Sequence, residues 1–219
     1  MSGVLTPTYE AVTDWEQLPG GYTHPDVAAV AVNSKGRVYV FCRSEHPVMI
    51  YERDGRFVGS WGEPGTGPGQ FMLPHGVAVD ATGSVLVCDR ESDRVQVFTP
   101  DGRFVREITD VQRPTQIVLA RGQMYVSELG WRAGQRSFRH GPIQRDLPSR
   151  VSVLDGNGIV LTRIGGPDPC APGSFCAPHG LAVDANGDLY VAEVAWTVAG
   201  KAGLVPPDCH TLQKLALVA

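Results

Sequence analysis

Apolar and polar positions alternate along this chain in short runs, and turn residues follow nearly every run. Between Leu73 and Val105 the stretch LPHGVAVDATGSVLVCDRESDRVQVFTPDGRFV alternates through Val77–Val79, Val85–Val87 and Val95–Val97. Such period-two alternation over a few residues predicts half-buried strands. Asp-Gly pairs at 54–55, 101–102 and 155–156 predict tight hairpin turns between the third and fourth strand of successive units. The chain therefore reads as all-β.

The pattern repeats. AAVAVNSKGRVYVFCR from Ala28 aligns with HGVAVDATGSVLVCDR from His75, with TQIVLARGQMYVSEL from Thr115 after one deletion, and with HGLAVDANGDLYVAEV from His179. Equivalent positions Val32, Val79, Leu119 and Val183 lie 47, 40 and 64 residues apart. Four strands in about 40–50 residues is the size of a propeller blade. The expected architecture is one β-propeller domain over 1–219, with four four-stranded blades at about 24–61, 70–109, 112–165 and 175–219. The last repeat runs out after its third strand, TLQKLALVA, so Pro7–Trp15 is expected to supply its outer strand and close the ring. Part of a six-bladed ring, or an oligomer, is the alternative. Insertions at Gly130–Ser149 and Trp196–His210 fall in one loop class, hence on one face.

The repeat also aligns chemistry. Ala28, His75, Thr115 and His179 enter the inner strands, which line a propeller's channel. The second strand returns to the same mouth, bringing Cys42-Arg43, Asp89-Arg90, Glu128-Leu129 and Glu193-Val194. His75 and His179 with a carboxylate suit zinc or a similar borderline metal, whereas the plainer role is capping of strand starts. Arg43 and Arg90 read either as a clamp for a carboxylate or as ion-pair partners of Asp89, Glu91 or Glu45. Asp89, Glu128 and Glu193 are candidate ligands or bases, or else acceptors for the backbone of neighbouring loops. His46 shares the loop of Arg43, while His140 and His210 lie on the insertions. Trp131 and Trp196 begin those insertions, as pocket walls or as anchors.

Composition narrows the partners. A net charge of −4 gives no footprint for nucleic acid or anionic membrane, and no apolar run reaches spanning length. The N-terminus has no basic head followed by an apolar stretch, so no secretory signal is expected. The five cysteines (Cys42, Cys88, Cys170, Cys176, Cys209) form no CxxC pair; reduced thiols and a cytoplasmic location are expected. A disulfide among Cys170, Cys176 and Cys209 is the alternative. No GxSxG elbow supports nucleophilic hydrolysis.

GQFMLPHGVAVD, VCDRESDRVQVF and FCAPHGLAVD resemble NHL repeats. With VFCRSEHPV, the chain more narrowly resembles the peptidyl-α-hydroxyglycine α-amidating lyases, a family of six-bladed NHL propellers, from TYEAVTDW to DCHTLQKL. The resemblance implies zinc held by histidines at His75 and His179 and a substrate carboxylate held at Arg43 and Arg90. By family alone it also implies calcium. The family's third histidine and its tyrosine have no counterpart, as if two blades were absent near Trp61-Gly62. Asp89, Glu128, Glu193 or His46 would then have to act as base, and Asp89 beside Arg90 is the catalytic candidate. Two functions follow. One is a scaffold binding a small-molecule or peptide carboxylate, or a partner, at the channel mouth with or without a metal. The other is a zinc lyase cleaving carbinolamides to amide and glyoxylate. Whether the chain is a monomer or a homo-oligomer is left open.

Overall fold

A computed structural model describes residues 8–218. Blade one comprises β1 (Val27–Val32), β2 (Val38–Cys42), β3 (Val48–Tyr51) and β4 (Phe57–Trp61), paired in that order. A short parallel pair, β5 (Glu63–Pro64) and β6 (Gln70–Phe71), links it to blade two. Blade two comprises β7 (Pro74–Val79), β8 (Val85–Asp89), β9 (Arg94–Phe98) and β10 (Phe104–Ile108). Blade three begins with β11 (Pro114–Ala120) and β12 (Gln123–Glu128). The insertion follows, carrying a small hairpin of β13 (Arg136–Ser137) and β14 (Gly141–Pro142). Strands β15 (Arg150–Leu154) and β16 (Val160–Ile164) complete this blade. Blade four has three strands, β17 (Pro178–Val183), β18 (Leu189–Glu193) and β19 (Leu212–Leu215), with a one-turn helix α1 (Ala195–Val198) after β18. All pairing within the blades is antiparallel.

Alternation along each strand gives every blade two apolar faces, and successive blades bury them against each other. Tyr39, Phe41 and Ile50 meet Phe71, Val85 and Phe98 between blades one and two. Leu86, Val95 and Val97 meet Ile117, Met124 and Leu154 between blades two and three. Tyr125, Val151 and Val153 meet Leu181, Leu189 and Val191 between blades three and four. The inner strands approach so closely that Gly76 has no room for a side chain: a Cβ there would lie 2.7 Å from the Thr115 carbonyl oxygen. The turns differ slightly from the Asp-Gly expectation. In blade three the residue with positive φ is Gly158 (φ 87°) rather than Gly156, because the four-residue turn runs from Asp155 to Gly158.

The expected closing strand is not formed. Pro7 lies outside the described residues, and residues 8–15 join no ladder; the nearest pairing is a single parallel bridge from Gln17 to Arg56. The reason lies in Trp15, Leu18 and Tyr22, whose apolar surface covers the outer face of blade one at Val40, Cys42, Met49 and Tyr51. The Trp15 indole also donates to the Arg53 carbonyl at 2.9 Å. Val30, Val32 and Leu212 stay well exposed, so blades one and four do not bury these faces against each other.

The cysteine expectation is overturned too. Cys170 and Cys209 form a disulfide, joining the linker before blade four to the end of its insertion. Cys42, Cys88 and Cys176 are free. No helix among the described residues is long and apolar enough to cross a membrane.

Candidate functional site

Each inner strand opens with a β-bulge at the same place. The register slips between Val27 and Ala29, between Pro74 and Gly76, between Pro114 and Gln116, and between Pro178 and Gly180. The bulged residues are therefore Ala28, His75, Thr115 and His179, the four positions aligned from the sequence. A bulge takes a residue out of the ladder and re-aims its side chain. The repeat equivalence extends to the second strand's end. Arg43, Arg90, Leu129 and Val194 each donate a backbone N–H to the residue preceding the inner strand, the carbonyls of Asp26, Leu73, Arg113 and Ala177.

His75 and His179 meet, with ring centroids 4.6 Å apart and planes at 74°. The Nδ1 of His75 lies 2.7 Å from the Thr115 carbonyl oxygen. A carbonyl only accepts, so Nδ1 carries the hydrogen and the lone pair of the neutral ring is on Nε2. Burial lowers the His75 pKa to about 4 despite the Thr115 carbonyl, and His179, Arg90 and Arg43 lower it further. The His179 pKa is also lowered, first by burial and then by Arg90 and Arg43. Both rings are thus neutral at pH 7, beside guanidinium groups whose fields reach them.

Arg90 donates through Nε to Glu91 Oε1 at 2.9 Å. Burial lowers its pKa; Glu91 opposes this, and Arg113 and Arg43 add to it. The carboxylate nearest the Arg43 guanidinium is Asp26, 3.9 Å away and largely exposed. Arg113 was not legible as a site residue, because its repeat equivalents are Asp26, Leu73 and Ala177 and no charge recurs there. It donates through Nη2 to the same Glu91 oxygen at 3.0 Å and through Nη1 to the Gly130 carbonyl at 3.2 Å. Its guanidinium carbon lies 4.5 Å from the centre of the Trp131 ring. Trp131 is buried and fixed by its indole N–H to Asp93 at 2.9 Å, so it anchors the insertion rather than lining an open pocket.

The carboxylates face elsewhere. Asp89 Oδ1 accepts from the Met72 and Leu73 N–H groups at 2.9 and 3.3 Å, and Oδ2 accepts from Arg94 at 3.1 Å. Glu128 Oε2 accepts from the Gln112 N–H at 2.7 Å and from Arg150 at 2.8 Å. Glu193 Oε2 accepts from the Cys176 and Ala177 N–H groups at 2.7 and 3.0 Å, and Oε1 pairs with His210 at 2.9 Å. All three hold down the segment that enters their own blade. In blade one Cys42 takes this position, its thiol 3.9 Å from the Thr23 carbonyl. Burial raises the Asp89 pKa against the pull of Arg94 and the backbone donors. Asp89, the catalytic candidate of the sequence, is thus engaged by the Met72 and Leu73 N–H groups and by Arg94, and the structure does not bring it to the histidines. His46 stacks face to face on Tyr22, with 3.8 Å between ring centroids.

This donor set does not fit a resident zinc or calcium. Catalytic zinc takes three protein ligands and structural zinc four, whereas the mouth offers two imidazoles. Among the described residues no three His, Cys, Asp or Glu side chains converge as metal ligands. Calcium needs six to eight oxygens, and the carboxylates here serve the backbone. The adjoining guanidinium groups would also repel a dication.

The NHL repeat model matches residues 71–98 and 175–196. No curated protein matches the sequence. Similar solved structures include a streptogramin B lyase, at a TM-score of 0.56 and 12% identity over 90% of this chain and 57% of that one. The hydrazine synthase of Kuenenia stuttgartiensis gives 0.55 and 18% over 81% and 46%. A nidogen/laminin complex gives 0.54 and 21% over 76% and 56%. The chain spans about half the length of these structures, and at such identities the likeness is one of fold alone. None of these comparisons carries the amidating-lyase resemblance. Repeats and architecture together make the chain an NHL-type β-propeller of four blades.

Proposed function

We propose that the propeller is a scaffold whose channel mouth binds a small carboxylate-bearing ligand, held by Arg43 and Arg90 beside neutral His75 and His179. The observation that carries this reading is a pair of guanidinium groups, Arg90 half-buried and Arg43 exposed, with unused donors. Arg90 engages Glu91 through Nε alone, which leaves both Nη groups for a ligand. Arg43 has only the distant Asp26. Guanidinium forks match carboxylates bidentately, and such charged hydrogen bonds are the strong ones. The neutral imidazoles add polar atoms without adding charge.

Calorimetric titration with glyoxylate tests the reading. Arg43→Ala and Arg90→Ala are each expected to weaken binding by about 1–3 kcal/mol, the range for hydrogen bonds to charged groups. Undiminished binding in both variants overturns the clamp. The lyase reading rests on the same clamp and leaves His179, beside the Nε2 lone pair of His75, to take the carbinol proton, since Asp89, Glu128 and Glu193 are engaged. With that single support we expect no glyoxylate release from an N-acyl-α-hydroxyglycine; measurable turnover, lost in His179→Ala, would reinstate the enzyme.

A further inference from the structure

Each blade turns one face to the blade before it and one to the blade after it, and two of these faces stay open. Val30 of β1 is 60% exposed, whereas its equivalents Ile117 and Leu181 are buried against the preceding blade. Leu212 of β19 is 68% exposed, whereas its equivalents Val48, Val95 and Val151 are wholly buried against the following blade. The two open faces match by repeat. Tyr39 packs with Val77 and Val79, Leu86 with Ile117 and Leu119, and Tyr125 with Leu181 and Val183. By the same relation Tyr190 of blade four fits Val30 and Val32 of blade one. Lys214, 5.5 Å from the centre of the Tyr190 ring, carries its own counter-charge in Asp188 at 2.7 Å, so covering it leaves no unpaired charge.

A strand is missing on one side and spare on the other. Trp15 lies against Gly55 as Trp61 lies against Gly102 and Ile108 against Gly158. Its ring meets Tyr51 at 5.7 Å between centroids, as Trp61 meets Phe98 at 4.4 Å. Residues 11–15 therefore stand to blade one as β4 stands to blade two, but among the described residues they have no third strand to pair with. They are not extended either: Thr13 and Asp14 form a turn, with Asp14 at a φ of 54°. Strand β19, in turn, has no fourth strand beside it among the described residues. Its free N–H and C=O groups are a template for pairing.

We propose that blade four of one copy docks on blade one of a second copy, whose residues 11–15 straighten and become the outer strand beside β19. The contact continues the interface that the chain already makes three times within itself. Blade four of the same chain carries the matching face, yet the structure leaves both faces open, so the match is made between copies. Because the two faces differ, the contact is heterologous: a pair that makes it both ways closes, and a one-way contact continues head to tail. The proposal is independent of what binds at the mouth.

Light scattering on the full chain over a concentration series gives the first test. The mass should be that of two or more chains at high concentration and should fall toward one on dilution. Val32→Asp and Leu212→Asp alter exposed side chains, so each should keep the circular dichroism of the parent and shift the mass to one chain. The register supplies the second test. Ile50 pairs with Gly59 and Val153 with Thr162, so Lys214 should face Thr13. Thr13→Cys protein mixed with Lys214→Cys protein and oxidised should give a cross-linked pair, with the bond between positions 13 and 214 located by peptide mass mapping. A single-chain mass at every concentration overturns the proposal. So does a 13–214 bond within one chain of the Thr13→Cys/Lys214→Cys double variant as a monomer, which would assign the segment to its own blade four. Assembly that survives both aspartate variants and yields no 13–214 bond belongs to another surface and overturns it as well.

Discussion

His75 is a titratable side chain locked in its neutral form, and acid should expose that. Its folded pKa is about 4, depressed chiefly by burial, against about 6.5 for a free histidine. Between those values the unfolded chain binds a proton that the folded protein refuses, so stability falls as pH drops through that window and is unaffected by this group above it. His75→Gln should therefore lose less stability than the parent between pH 7 and pH 4, by about 2–3 kcal/mol. Urea midpoints of both proteins at the two pH values measure this; equal losses would mean that His75 is not held neutral. At the same scale, the repeat alignment put His75 with His179 and Arg43 with Arg90, and the structure brings the two rings together within the fields of both arginines. The alignment could not assign Asp89, because position alone does not say which way a side chain turns. Asp89 ends β8 and Arg90 begins a 3-10 turn (Arg90–Ser92), so the alternation of the strand does not carry across the pair.

At the scale of the element, the ends of the second strands do the structural work that was one of the two readings of their acidic residues. Asp89, Glu128 and Glu193 each fasten the linker that begins their blade, so an acidic residue recurs for reasons of backbone satisfaction. Glu128 is the sharpest case, being fully buried and paired with Arg150 as well as with the Gln112 N–H. Replacing it by Gln breaks that pair and leaves Arg150 without its counter-charge. Arg150 is partly exposed, so the cost should be about 2–4 kcal/mol, somewhat below that of a wholly buried pair. Chemical denaturation checks the figure, and a change under about 0.5 kcal/mol, the range of ordinary surface substitutions, would contradict this account of the motif. Strands and turns were legible because alternation and glycine placement are local. The terminal segment was not, since Pro7–Trp15 has the composition of a strand but its fate depends on Trp15, Leu18 and Tyr22 covering a distant face.

At the scale of the whole molecule, the fourth blade stands apart from the other three. Among the described residues it has three strands, and the Cys170–Cys209 bridge ties its entry segment to its insertion, with Gln213 and His210 binding the same entry segment. The cross-link closes a loop of 39 residues, so replacing both cysteines by serine should cost about 2–4 kcal/mol, a loss read as a lower Tm under non-reducing conditions. An unchanged Tm would show that the blade needs no such tie. Such a bridge persists where conditions are oxidising, whereas the cytoplasmic expectation came from an N-terminus with no visible signal. The bulges at the channel have a different consequence. Because Ala28, His75, Thr115 and His179 stand outside the ladders, the identity of each is uncoupled from blade pairing. The mouth is in effect a four-character field written on a fixed page. Thr115 is already committed, its hydroxyl and carbonyl joining blades three and four and holding His75. Ala28 is the blank character, where selection can change what the propeller recognises without rewriting how it folds.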